Sequence, residues 1–306
     1  MPVGATGGTP QYSGTFVPET WSAKILVKFW DALTIAAVSN ADYAVGKGQG
    51  DTVHVRVAPT VTTFRYYKNQ DLDFEYLETT LIDLLINYGR AFAIACDDID
   101  IYQSDIALMD EFSDNAGMQL KQDTEEDIFA DIYADAATYN TGSTAGYKTH
   151  NINLGTSGTP LVVTTDDVLK LIVRAGQCLG EYSAPFEDRW AIIPEWMNSN
   201  ILLSDLKDAS LAGDGTSILR NARMGRIANF TLYLSNLIET ATDGGYTCFY
   251  PLFGQRRALT FAANLDKVKR VEPSKSFQQG IKGLTVCGWK VFKSEALVVP
   301  YVREGS

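Results

Sequence analysis

Histidine is nearly missing from this sequence: 306 residues contain two, His54 and His150. Neither stands at a recognisable base or ligand spacing, so the common zinc sets and imidazole acid–base catalysis have no visible donors. Cysteine is sparse too. Cys96, Cys178, Cys248 and Cys287 lie far apart with no CxxC, the pattern of buried thiols in a reducing compartment, not of a disulfide frame or a zinc site. Positive charge is in deficit, with 26 Lys and Arg against 37 Asp and Glu and a net charge of −11. That balance argues against a role resting on nucleic-acid binding, because phosphate contacts need clustered cations. No apolar run approaches the ~20 residues of a membrane helix, and the N-terminus lacks the basic region and apolar core of a signal peptide. The expectation is a soluble protein, intracellular when made. A G-x-S-x-G elbow, a P-loop and an H-E-x-x-H pair are all missing. Asp98-x-Asp100 starts like a calcium loop, but Gln103 replaces the required glycine and Met109 the closing glutamate. Helix capping explains those aspartates better, and the sequence calls for no cofactor and no metal.

What is present is ordinary in bulk, 45% hydrophobic and 21% charged, enough for two compact units or one domain with insertions. The most conspicuous stretch runs from Asp97 to about Ala137. Asp97-Asp98-Ile99-Asp100 suits a helix N-terminus. Apolar residues then recur at Ile99, Tyr102, Ile106, Met109, Ala116 and Leu120, and after a drift in phase at Ile128, Ile132 and Ala136. Among them stand Asp105, Asp110, Glu111, Asp114, Asp123, Glu125, Glu126 and Asp127, and no proline interrupts. One helix of that length would run roughly 60 Å and would need neighbours throughout, as a spine for the other segments. Gly117 inside it costs about 1 kcal/mol against alanine. Two explanations stand: close packing against the C-terminal strands, or a hinge in the spine.

Before the spine, residues 1 to about 15 carry no charge and are rich in Gly, Thr, Ser and Pro, a flexible arm. Pro18-Glu19 opens a helix with Trp21, Ile25, Phe29, Leu33 and Ala36 on one face. Gly46 to Asp51 lacks the context of a dinucleotide loop, and Thr52 to Val57 alternates as a strand with His54 on its exposed phase. Residues 59–78 are dense in aromatics and charge, and 79–86 and 90–95 read as returning strands. The whole of 50–95 is a protruding, strand-rich excursion that needs a partner surface, most naturally another subunit. After the spine come a helix capped by Thr165-Asp166-Asp167 and running to about Leu179, a buried strand at 190–193, a helix at 194–203 and a polar loop at 206–219. Strands at 225–236, 246–252 and 267–271 follow, with a short helix at 256–263. This alternation suggests an α/β unit over 165–270. Residues 283–292 and 296–302 read as closing strands. Charge is segregated: the spine is acidic, whereas 256–293 carries nine Lys and Arg residues, among them Arg256, Lys267 and Lys290. Such surfaces either face solvent or meet each other, within a subunit or between subunits.

In order along the chain, these segments resemble the major capsid (coat) protein of tailed bacteriophages with the Hong Kong 97-type shell fold. Phe16-Val17-Pro18-Glu19-Thr20-Trp21-Ser22-Ala23 is similar to the F-x-P-E-x-W-S opening of one coat-protein group. Asn40-Ala41-Asp42-Tyr43, Gly50-Asp51-Thr52-Val53, Tyr67-Lys68-Asn69-Gln70-Asp71-Leu72, Glu78-Thr79-Thr80-Leu81 and Asp97-Asp98-Ile99-Asp100 resemble its next blocks. Arg220 to Ile227 and Lys282-Gly283-Leu284-Thr285-Val286-x-Gly288 resemble its later ones. The similarity covers about 16 to 300.

The resemblance implies an α+β fold with a flexible N-arm over 1–17, an N-terminal helix and linker over 18–49 and an extended E-loop over 50–95. A P-domain with the spine helix would occupy 96–164, an α/β A-domain 165–270, and strands returning to the P-domain 271–306. It implies a non-enzymatic subunit that self-assembles through hexamers and pentamers into an icosahedral shell. That shell would enclose double-stranded DNA without sequence-specific binding and would be assembled in the bacterial host cytoplasm. No charged helical segment precedes the arm, so a separate scaffolding protein is expected, together with a portal and no membrane. Candidate subunit-interface residues are Phe16, Trp21, Tyr66, Tyr67, Lys68, Phe74 and Tyr76; Gly117 is the candidate spine hinge. The alternatives are an encapsulin-type nanocompartment shell on the same fold and, from another class, a hydrolase using paired spine carboxylates with a raised pKa.

Overall fold

The computed structural model describes residues 33–42, 52–71, 73–103, 108–204, 226–272 and 277–305. Phe16, Trp21 and Trp30, the arm, the turn at 46–51 and the loop at 206–219 lie outside the described residues.

Strand β5 (Arg189–Ile193) is buried along its full length, and its alternation explains how the chain is put together. Ala191 and Ile193 point into one apolar core, Trp190 and Ile192 into a second. Its neighbours split the same way: in β10 (Leu252–Gln255) Phe253 joins the first core and Leu252 the second, and in β13 (Leu297–Val298) Val298 joins the first and Leu297 the second. With β7 (Phe230–Leu234) and the short β6 (Arg226–Ile227) these strands form one sheet of order β13-β10-β5-β7-β6, a wall between two cores. A strand buried on both faces reads as a continuous apolar run, as Trp190-Ala191-Ile192-Ile193 does.

The first core is covered by α4 (Val168–Glu181) and α5 (Glu195–Leu203). Val168, Leu171, Ile172, Ala175 and Leu179 are the buried face of α4, the three-four spacing visible in the sequence. Arg189 is buried without a carboxylate. Its guanidinium donates instead to the carbonyls of Ala184 and Pro185 just past α4, each at 2.8 Å, and to that of Gly176 within α4 at 3.3 Å, so backbone carbonyls satisfy it. A small sheet of order β4 (Leu161–Val163), β14 (Val302–Glu304), β9 (Tyr246–Phe249) and β8 (Thr240–Asp243) flanks this unit.

The second core joins that wall to a long three-stranded sheet. There β11 (Leu259–Val271) and β12 (Gln278–Val291) form a hairpin with a bulge between Ala263 and Leu265, and β3 (Tyr88–Asp97) pairs with β12 from Cys287↔Tyr88 to Gln278↔Asp97. Two glycines of β12 permit close crossings: a Cβ on Gly283 would run into the Phe92 ring, and one on Gly288 into the Leu85 carbonyl. The spine lies over this sheet as α2 (Asp98–Gln103) and α3 (Leu108–Ile132); 104–107 fall outside the described residues. The Asp97 carboxylate accepts from the Ile99 amide at 2.9 Å, the cap expected of the aspartate run.

Several expectations require correction. Helix α3 gives way at Tyr133–Asp135 to a 3₁₀ turn and the chain is extended at Ala136, so the spine stops before Ala137. At 1.5 Å per residue the 25 residues of α3 alone span about 37 Å, with α2 described ahead of it. Ile99 and Tyr102 are exposed, not part of a buried stripe. The helix expected from Pro18 through Ala36 does not run unbroken: within its described end Thr34 is an N-cap and α1 (Ile35–Val38) starts afresh. The boundary expected at 95/96 falls inside β3, whose partner is the C-terminal β12 and not the excursion. The boundary expected at 270/271 likewise cuts β11 one residue before its end. Residues 256–263 are a turn leading into β11, not a helix, because Thr260 and Phe261 pair with Lys290 and Trp289. Asp167, expected to cap α4, makes no side-chain cap bond; its carboxylate accepts from the Thr164 hydroxyl and the Lys170 ammonium.

Candidate functional site

The described part of the 50–95 excursion rises from a two-stranded root. Strand β1 (Thr52–Val57) pairs with β2 (Thr80–Leu85) in the register Thr52↔Leu85 to Val57↔Thr80. The root is held to the body by Leu84, fully buried, and by Lys290, whose ammonium donates to the Asp83 carbonyl at 3.2 Å. On the outer face His54 Nδ1 lies 2.6 Å from Asp83 Oδ1, so His54 is the exposed strand histidine its phase predicts.

Beyond the root, the described residues of 58–79 form no strand. Their two legs are tied at one point, where the Thr62 amide donates to Glu75 Oε2 at 3.1 Å. The tip turns at Lys68 and Asn69; the Gln70 amide bonds the Tyr67 carbonyl, and Asn69 has φ 66°, a left-handed conformation that asparagine tolerates. Four of the predicted interface side chains point into solvent here: Tyr66 is 60% exposed, Tyr67 61%, Phe74 87% and Tyr76 94%. Lys68 is exposed beside them. Folding of the single chain gains almost nothing from covering them, although burying such a ring is worth about 1.5–3 kcal/mol. The exposed surface is aromatic at its centre, with Arg65, Lys68, Asp71, Asp73 and Glu75 around it.

The spine is the second element of interest, and its two ends differ. Toward the C-terminus Ile128, Phe129 and Ile132 are buried in the second core. On that side Arg90 of β3 reaches up and binds two aspartates one helical turn apart, Asp123 at 2.7 Å and Asp127 at 2.6 Å. The Tyr88 hydroxyl also hydrogen-bonds Asp127, and burial followed by that bond pushes its pKa up, keeping it a donor. The Trp289 indole N–H donates to Asp131 at 2.8 Å. Glu125 is almost fully buried; Oε1 accepts from the Thr34 amide and hydroxyl, each at 2.6 Å, and from the Ile35 amide at 3.0 Å. A carboxylate reaching the open amides at the start of α1 satisfies groups the helix cannot. The acidic spine is therefore clasped by Arg90 of β3, a cation outside the segregated C-terminal series. Asp135, just past α3, is pushed up by burial, with Asp131 adding to this and Lys290 opposing it.

Asp123, Asp127 and Asp131 are thus engaged in holding the spine to the sheet, and Glu125 in capping α1. Gly117 lies in the unbroken middle of α3, and a Cβ placed there would meet nothing within 4 Å. Among the described residues, the C-terminal strands included, close packing thus does not account for this glycine. Sequence reasoning missed Arg90 and Glu125. Both had a signal: Arg90 shares the inward phase of Tyr88, Phe92 and Ile94, and Glu125 stands three residues before Ile128 on the buried stripe.

Comparisons with known proteins agree with this arrangement. The sequence model of the phage capsid protein family matches residues 78–299. No curated protein sequence matches the chain. Among solved structures, one from Mycobacterium phage Che8 is similar over 93% of this chain and 97% of its own, with 21% identity and a TM-score of 0.75. The capsid structure of cyanophage P-SCSP1u covers 96% of each chain at 14% identity and TM-score 0.72. The mature capsid of bacteriophage PhiM1 is similar at 13% identity and TM-score 0.68, over 94% and 92%. The fold is thus the α+β capsid fold of Hong Kong 97 type. With its sequence matched over most of its length and its shell fold in place, the chain belongs to the phage capsid protein family, as a structural, shell-forming virion component and not an enzyme.

Proposed function

We propose that this subunit builds an icosahedral shell of hexamers and pentamers around phage double-stranded DNA, through a procapsid that forms with a separate scaffolding protein and a portal in the bacterial host cytoplasm. The observation that supports this best is the excursion at 58–79, an E-loop whose aromatic side chains are largely uncovered by the described residues of their own chain. In the assembled shell Tyr66, Tyr67, Lys68, Phe74 and Tyr76 lie on a neighbouring subunit, and Phe16 and Trp21 of the arm add to the same contacts. The net charge of −11 suits a container that holds DNA without gripping it, since an acidic wall repels phosphate. Electron microscopy of the purified protein, alone and with its scaffold, tests the reading. Closed shells are expected, and monomers under all assembly conditions would sink it.

Gly117 acts in this scheme as a bend point that lets the spine change curvature as the shell expands. Alanine fits the open space there, so Gly117→Ala should leave the subunit folded, or slightly stabilised, while hindering expansion or size control. Normal expansion of Gly117→Ala shells would reject the hinge.

A further inference from the structure

Strand β11 is an edge of its three-stranded sheet. The start of that edge is taken, because the Asn40 amide and carbonyl bond Leu259 and Phe261 there. Farther along it is open: Lys267, Lys269 and Arg270 are exposed, and Val268 is 65% exposed. Lys269 stands directly opposite Lys282 of β12, and Lys267 points to the same face two residues away. Like charges so placed destabilise a strand pair, and none of these three lysines has a carboxylate partner among the described residues. We propose that this edge receives one leg of the excursion of a second copy, residues 73–77, added as a further strand with Phe74 opposite Val268. The inference rests on the shell-building reading above and names the surface that takes the excursion.

Three features support this pairing. The first is the backbone. Among the described residues, the amides and carbonyls of 73–77 make no backbone hydrogen bond, and β11 has no second partner strand. An unpaired leg and an unpaired edge satisfy each other. The second is alternation. As a strand, the leg sends Asp73 and Glu75 to one face and Phe74 and Tyr76 to the other, while β11 alternates Lys267, Val268, Lys269. With Phe74 opposite Val268, the two carboxylates fall opposite Lys267 and Lys269 whichever way the leg runs. The bond from the Thr62 amide leaves Glu75 further acceptor sites for an ammonium. The third is selectivity. Lysines on an edge repel a second β11 and favour a strand that brings carboxylates. The two surfaces do not meet within one chain, where Phe74 is 87% exposed and Val268 65%, so the pairing joins one copy to another.

Co-assembly of two variants tests it. Shells built from Phe74→Cys subunits mixed with Val268→Cys subunits should, after mild oxidation, yield a linked dimer on non-reducing gels. Mass spectrometry should find the disulfide between those two positions, and neither variant alone should give it. Mixed shells that form without the link would overturn the proposal and leave shell building intact; a parent protein that forms no shells would remove both. A disulfide within one chain, formed by the double variant as free subunits, would also overturn it. Charge reversal is a second measurement that needs no disulfide. Lys267→Glu with Lys269→Glu should lower shell yield severalfold, as should Asp73→Lys with Glu75→Lys, and all four changes together should restore most of it. Unchanged yield from either pair, or no recovery in the quadruple variant, would contradict the pairing.

Discussion

The partition sheet and the excursion use the same kinds of side chain and send them to opposite fates. In β5 and β10, Trp190, Ile192 and Phe253 are closed off from water on both faces of one sheet. In residues 58–79, Phe64, Tyr66, Phe74 and Tyr76 stand in solvent on a segment tied across by Thr62 and Glu75, its described residues paired with no strand. The first region carries the stability of the subunit; the second, in the function proposed above, is its reason to associate. A chain that only had to stay folded would gain nothing from so many uncovered rings, and one that only had to associate would not need two cores sharing a wall.

The largest expected effect lies in the wall. Phe253→Ala should cost the subunit about 3–5 kcal/mol, read as a fall in denaturant midpoint, because the ring is fully buried against Phe230 and cannot be replaced by water. If Phe74→Ala cost as much in the unassembled subunit, the contrast between the regions would collapse.

Arg90 ties the spine to the sheet, and Arg90→Ala should cost about 1–3 kcal/mol by leaving Asp123 and Asp127 without their partner. Arg90→Lys should recover only part of this, since an ammonium cannot span two carboxylates as the fork does. A neutral Arg90→Ala would mean the spine is held by its apolar face alone.

A smaller effect depends on pH. Burial works against the charge of Glu181, but the Lys148 amide, the Gln177 side chain and the Thr149 amide and hydroxyl all donate to it and bring its pKa down to about 2, from an ordinary 4.5. A group with a lowered folded pKa adds stability that is complete above its unfolded value and fades as pH falls through the folded one. Subunit stability should therefore drop between about pH 5 and pH 2 by more in the parent than in Glu181→Gln. Parallel pH curves for the two would remove this contribution.

How far the sequence revealed these regions follows from how local each signal is. The face of α4 and the alternation of β1 depend on neighbours within two turns or six residues, and both stand as the pattern suggests. The exposure of the excursion's aromatics was also legible, because a segment so short and so rich in them has little of its own chain to cover them. Strand β3 was harder. Its alternation suits either the excursion or a distant partner, and its pairing with β12 lies about 180 residues away, where no local pattern reaches. The spine was overestimated for a related reason: helix propensity continues past Ile132, while burial of that end against the partition sheet decides where the helix stops. The Arg90 clasp and the Glu125 cap share one lesson, that a charge on an apolar phase marks a tether.

The smallest expected change in stability bears on the central claim. Phe74→Ser with Tyr76→Ser should alter the free subunit by no more than about 0.5 kcal/mol, since both side chains are already in water. Electron microscopy of that double variant beside the parent, at equal concentration and with the same scaffold, is the most direct test. The account predicts closed shells from the parent and folded, unassembled subunits from the variant. Normal shells from the variant would show that the exposed excursion is not what joins one subunit to the next.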